Sequence, residues 1–167
     1  MKKIFYVFLI SLSIACNSKI TNGVLVSDNS ALKEAIKNAK PGDEITLKNG
    51  VWKDVKIKFI GEGTKENPIS LKAETAGKVF IEGVSGLEIS GNYLEVSGLF
   101  FRNGHSPIQN VIAFRTSKKN VANHSKVSNC VILDFNNLER DQDNLWVQFY
   151  GKHNTLENCY IAGKTNG

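Results

Sequence analysis

The sequence VSNCVI, residues 127–132, returns as LENCYI at 156–161 and has a forerunner in VSGLFF at 96–101. All three read apolar, polar, Gly or Asn, apolar, any residue, apolar, and their first residues, Val96, Val127 and Leu156, stand 31 and 29 residues apart. A near-constant interval of that size marks the coils of a solenoid. An antiparallel sandwich also strings short strands between turns, but nothing in it returns the same side chains at the same interval. In a parallel β-helix the equivalent strands of successive coils lie about 4.8 Å apart, so equivalent side chains form columns. Leu99, Cys130 and Cys159 are therefore expected in one inward column, and Phe101, Ile132 and Ile161 in the next, two residues on. Gly98, Asn129 and Asn158 fall at the corner before them, where the chain turns sharply and Gly or Asn accepts left-handed backbone angles.

The rest of the chain agrees with that reading. From Ile57 onward there are only short β-rich runs punctuated by Gly and Asn, among them PISLKAE, KVFIEGV, YLEVSGLFF and NLWVQFYG. Upstream, Leu32, Ala35, Ile36 and Ala39 recur at helical spacing on one face, Asp28 or Ser30 can cap the start, and Pro41-Gly42 ends the pattern. One short amphipathic helix is predicted over 30–39, followed by a strand from Glu44 to Leu47 and a turn at Asn49-Gly50. A solenoid exposes unpaired edges at its ends unless they are covered, and this helix is placed to cover the N-terminal one. No comparable segment follows at the other end. The expected fold is all-β, a right-handed parallel β-helix over 30–167 with one short N-terminal capping helix, incomplete at its C-terminal end.

Residues 1–16, MKKIFYVFLISLSIAC, combine two lysines, an apolar run from Ile4 to Ile14 and a small residue before a cysteine. That is the pattern of a secretory signal, and the run is too short for a bilayer span. Ser13-Ile14-Ala15-Cys16 resembles a bacterial lipobox, with Ser13 where Leu is usual, so Cys16 is the expected lipidation site. Export to the periplasm or the cell surface follows, with membrane contact only through the N-terminal lipid anchor and residues 17–29 as a linker. The formal charge is +5, from 21 Lys and Arg against 16 Asp and Glu. This balance suits an acidic partner. The basic residues are scattered rather than interleaved with aromatics, which speaks against nucleic acid. Cys130 and Cys159 do not make a disulfide framework. In-register side chains point the same way rather than at each other, so a reduced apolar pair without a catalytic role is expected.

Several stretches resemble polysaccharide lyase family 6, which contains alginate lyases and chondroitinase B. The resemblance covers about 31–167. It is carried by AIKNAKPGDEITLKNGVWKD, by GTKENPISLKAETAGKVFIEGVSGLEISGNYLEVSGLFF, and by VIAFR, SNCVILDFN, NLWVQFYGKHN and YIAGKTNG. It implies a pectate-lyase-like β-helix that cleaves acidic, uronate-containing polysaccharide by β-elimination, alginate first and chondroitin or dermatan sulfate second. It further implies bound calcium, a lysine base and an arginine acid, all on coils beyond the GKTNG stretch. No catalytic residue and no metal ligand is therefore assigned within these residues, and the 167-residue chain alone is expected to be inactive. The competing class is a non-catalytic glycan-binding or structural surface lipoprotein on the same scaffold.

Candidate substrate-binding residues are Lys164 and Asn166 in GKTNG, at a coil corner, and Arg115 and Arg140, whose guanidinium groups can meet uronate carboxylates through paired hydrogen bonds. Asp141 and Asp143 form a D-x-D pair beside Arg140 that could hold a hard cation, although a solvated loop is the expectation. His105, His124 and His153 are expected at the surface, with His153 the best exception. Lys118 and Lys119 are read as a solubilising loop pair. Trp52 and Trp146 could stack on sugar rings, but Trp146 lies in an alternating strand and is expected to pack.

Overall fold

The computed structural model describes residues 22–139 and 144–165. The described chain begins with β1 (Gly23–Val26) and α1 (Asn29–Asn38), and then winds into coils. The first coil is β2 (Glu44–Leu47), β3 (Gly50–Lys53) and β4 (Lys56–Glu62). The second is β5 (Ile69–Ala73), β6 (Val79–Val84) and β7 (Gly86–Asn92). The third is β8 (Leu94–Ser97), β9 (Leu99–His105), β10 (Asn110–Ala113) and β11 (Ala122–Asn123). Next come β12 (Lys126–Ser128), β13 (Val131–Leu133) and β14 (Leu145–Gln148), and then β15 (Thr155–Glu157) and β16 (Tyr160–Ala162).

Equivalent strands stack into three parallel sheets, and the fold is a parallel β-helix. The first sheet runs β1-β2-β5-β8-β12-β15 and the second β3-β6-β9-β13-β16. The third joins β4, β7, β10 and β14, with β11 also beside β7. In the second sheet Val131 pairs with both Phe100 and Tyr160, and Ile132 with both Phe101 and Ile161. One residue earlier, this register stacks Leu99, Cys130 and Cys159. The columns read from the repeat are therefore the columns of the core, where Leu99, Phe101, Cys130 and Ile132 are buried.

The corner ahead of these columns also has the expected geometry, with φ of 79° at Gly98, 53° at Asn129 and 52° at Asn158. At Gly98 an added Cβ would lie 3.1 Å from the Ala73 Cβ and 3.2 Å from the Ala76 Cα, so the tight approach as well as the angle favours glycine. The Gly98 N–H donates to the Ser128 carbonyl and the Asn129 N–H to the Glu157 carbonyl, each at 3.2 Å, which ties each corner to the next coil.

Two further left-handed corners had no such signal in the sequence. Between the second and third sheets, Asp54, Asn103 and Asp134 have φ of 54°, 49° and 50°. The Asp54 carboxylate accepts the Val84 N–H at 2.8 Å and so caps the next coil. Between the third and first sheets, Tyr93, His124 and His153 have φ of 51°, 50° and 57°. Their rings stack, with centroids 4.8 Å apart for Tyr93 and His124 and 4.6 Å apart for His124 and His153. Left-handed angles cost a non-glycine residue about 1–2 kcal/mol. The stacking, together with the 2.9 Å bond from the His124 N–H to the Lys152 carbonyl, offsets that cost. His124 and His153 are exposed, as expected, but as members of a column rather than as isolated groups.

Helix α1 starts one residue before the predicted span. Asp28 is its N-cap and accepts the Ser30 and Ala31 N–H groups at 2.9 Å. Leu32 and Ile36 are buried against the first coil, so the helix covers that end of the solenoid. One boundary needs correction. Gly23–Val26, inside the stretch read as a linker, is a strand paired with β2, because an edge strand of four residues with one buried side chain carries too little alternation to be read. Residues 1–21, with the signal and the Cys16 lipidation site, lie outside the described residues. Trp52 and Trp146 are buried, which makes both packing residues, and the Trp52 Nε1–H donates to the Lys48 carbonyl at 3.0 Å.

Candidate substrate groove on the third sheet

Along the third sheet the side chains alternate. Ile57, Phe59, Leu87, Ile89, Ile112 and Phe114 fill the interior. Outward, the register stacks Lys58, Glu88, Ala113 and Gln148 in one column. Ala113 is a small step between two longer side chains, and a groove of about 430 Å³ opens over it. Gln109 and Asn110 stand on one side of this groove, and Arg115, Thr116 and Lys118 on the other. The Asn110 Nδ2–H donates to Gln148 Oε1 at 2.8 Å, which joins the third and fourth coils across the groove wall.

The second wall exists because the third coil leaves the sheet. After Arg115 the chain makes a hairpin, with the Thr116 N–H donating to the Asn120 carbonyl at 2.9 Å, and it closes with an antiparallel bridge between Arg115 and Val121. The Ala122 N–H donates to the Phe114 carbonyl at 2.8 Å, and β11 then resumes beside β7. The Thr116 and Ser90 hydroxyls, 2.9 Å apart, pin the hairpin to the coil behind it. Lys118 and Lys119 are exposed at the tip, as expected for a loop pair.

Pairing of Ala113 with Gln148 carries the register past the end of β10. Phe114 then stacks on Phe149 at 4.7 Å between centroids, and the Arg115 guanidinium carbon sits 3.8 Å over the Tyr150 ring. The chain holds a second arginine on a ring, and the contrast is informative. Arg102 lies 3.6 Å over Phe80 but donates its Nε–H to Glu82 at 2.8 Å, so its charge is neutralised. Arg115 has its face against Tyr150 and makes no ion pair among the described residues. Among the described residues Glu88 is the one carboxylate lining the groove, and it is 3.8 Å from Lys58. The groove thus carries an oriented guanidinium that no carboxylate among the described residues compensates.

The candidate residues separate in space. Arg115 is in the groove. Lys164 is exposed on the turn after β16, at the corner between the second and third sheets, so it stands at the opposite edge of the third sheet and further along the solenoid. The fold does not bring these two together. Arg140, Asp141, Asp143 and Asn166 lie outside the described residues. His105 ends β9, and its carbonyl accepts the Ser85 N–H at 3.0 Å. Among the described residues no group of three or more His, Cys, Asp or Glu is placed to hold a metal ion. Tyr150 and the Ser90–Thr116 pin went unread in the sequence, since both act across coils and leave no local pattern.

The thiols of Cys130 and Cys159 are free, and each donates to the carbonyl two residues before it, Cys130 to Ser128 and Cys159 to Glu157, both at 3.3 Å. The neighbouring Cys130 thiol, able to donate to a Cys159 thiolate, lowers the Cys159 thiol from 9.0 to about 6. The Cys159 thiol beside it, and then burial, raise Cys130 well above its ordinary value.

The fold and groove together define a parallel β-helix protein with a cationic furrow on one outer sheet. The Chondroitinase B family profile matches residues 26–167, and the chain belongs to that family, polysaccharide lyase family 6. The chain is similar to the PL6 family alginate lyase AlyGC, with 43% identity and a TM-score of 0.85 over 86% of this chain and 20% of that one. It is also similar to the PL6 family polysaccharide lyase Pedsa3628 from Pseudopedobacter saltans, with 38% identity and a TM-score of 0.78 over 86% of this chain and 32% of that one. A mannuronic-acid-specific family 6 lyase from the human gut microbiota matches at 31% identity and a TM-score of 0.81, over 88% of this chain and 35% of that one. Comparison with curated proteins yields no match. The chain thus spans 20% to 35% of the length of these lyases.

Proposed function

We propose that the full-length protein is an exported lyase that cleaves uronate-containing polysaccharide by β-elimination, with alginate the first choice and chondroitin or dermatan sulfate the second. In that reaction a base removes the C5 proton of a uronate, the C4–O bond breaks, a double bond forms between C4 and C5, and the departing oxygen takes a proton from an acid. The adjacent carboxylate opposes the negative charge that builds up, so the site must supply compensating positive charge. The observation that carries this reading is the 43% identity to AlyGC over 86% of the chain, with the backbone superposing at a TM-score of 0.85.

The residues described here contribute scaffold and groove. Calcium, the lysine base and the arginine acid remain part of the proposal and belong to further coils of the full-length protein. Among the described residues no group of three or more His, Cys, Asp or Glu is placed to hold that calcium. The test is ultraviolet absorbance of unsaturated uronate ends, recorded for the full-length protein over alginate, chondroitin sulfate and dermatan sulfate, with and without chelator. Product from alginate that disappears with chelator is the expected outcome, with none from the 167-residue chain alone. Absence of product on every polymer would overturn the lyase reading.

A further inference from the structure

We propose that the groove over Ala113 is a subsite for one uronate carboxylate of an acidic polysaccharide chain, with Arg115 as its ligand-contacting residue and Tyr150 as the residue that positions Arg115. The choice of a uronate rests on the lyase reading; the presence of an anion subsite rests on the groove alone. Three observations carry it. The Tyr150 ring takes one face of the guanidinium at 3.8 Å and leaves its N–H edges available, so the group is held in one orientation before any ligand arrives. No carboxylate among the described residues neutralises it, whereas Arg102, on a similar ring, is neutralised at 2.8 Å. The wall on which it stands is fixed at its base by the bridge to Val121 and by the Ser90–Thr116 contact, so the donor edge is rigid relative to the sheet. A planar carboxylate matches a guanidinium edge through two parallel hydrogen bonds, and the groove gives room for a sugar ring beside it. Lys118 adds positive charge at the rim.

The experiment is affinity electrophoresis of the full-length protein through gels containing polyuronate, a binding readout that needs no turnover. Parallel gels contain the same polymer with its carboxyl groups reduced to alcohols, and a sulfated glycan reduced in the same way. The wild-type protein should be retarded by the polyuronate and not by either reduced polymer. Arg115→Gln should weaken retardation about tenfold or more, the loss expected of one paired, charge-assisted contact. Tyr150→Phe, which keeps the ring, should match wild type, while Tyr150→Leu should weaken binding and add nothing when combined with Arg115→Gln, since the two act as a unit. Circular dichroism and melting of each variant separate misfolding from lost contact, and Arg115→Lys gives a second, milder variant with intermediate retardation. Equal retardation of wild type and Arg115→Gln would overturn the subsite, as would additive losses at the two positions. Retardation by the carboxyl-reduced sulfated glycan that vanishes in Arg115→Gln would reassign the groove to sulfate. Binding that follows Arg115 in a protein releasing no unsaturated product would leave the subsite standing and remove the lyase reading instead.

Discussion

Cys130 and Cys159 lie one coil apart in a single column, an arrangement that decides which of them ionises first. Cys159 is half-buried and is lowered to about 6 by the Cys130 thiol beside it, while Cys130 keeps its proton. For stability the two act in opposite senses. A depressed Cys159 contributes stability that is complete above its ordinary 9.0 and is lost as pH falls through about 6. A raised Cys130 contributes stability that is complete below 9.0 and is lost as pH rises toward its folded value. Because these partly cancel, alkylation is the cleaner measurement. The rate of iodoacetamide labelling should rise with a midpoint at pH about 6 and mass spectrometry should find the adduct on Cys159 alone. Cys130→Ala should move that midpoint upward, and a midpoint already near 9.0 in the wild type would count against the influence of Cys130. The pairing itself was legible, because Asn-Cys-x-Ile recurs at a fixed interval. The inequality of the two thiols was not, since it depends on how deeply each coil is covered.

Among the elements, α1 shows how much a single cap decides. The Asp28 carboxylate satisfies two N–H groups at the start of the helix, and the helix then seals the first coil with Leu32 and Ile36. Asp28→Ala should lower stability by about 0.5–2 kcal/mol in urea unfolding, with Asp28→Asn close to wild type. An unchanged midpoint in the alanine variant would show that the cap contributes nothing. Helix and cap were readable because apolar spacing, capping residue and Pro-Gly stop all agree within one short window. Strand β1 was not, for it has one paired neighbour and no alternation to speak of. The corner of Tyr93, His124 and His153 escaped for another reason. Gly and Asn announce left-handed angles by themselves, whereas these residues adopt them because rings from neighbouring coils stack, a contact between positions about 30 residues apart.

At the scale of the whole molecule, the solenoid was the most legible feature, since every coil repeats the same inward columns and errors in one strand are corrected by the next. The groove was the least legible. Its charge comes from Arg115, which has no acidic partner among the described residues whereas Arg102 has one, and pairing across coils is invisible along the chain. Position in the cell is a further property of this scale. If Cys16 carries a lipid, the seven residues to Gly23 reach at most about 25 Å, so the capped end is held close to the bilayer. Among the described residues no helix is long and apolar enough to cross a membrane. Cys16→Ser should therefore move the protein from the membrane fraction to the soluble one in cell fractionation, and continued sedimentation with membranes would sink the anchor.

The bridge between Arg115 and Val121 seals the chain's excursion at its root, and the rungs on either side stay aligned whatever the tip contains. Residues 117–119 can therefore change in length and composition without re-threading the coil. That makes the spot a place where peptides can be grafted while the interior stays untouched.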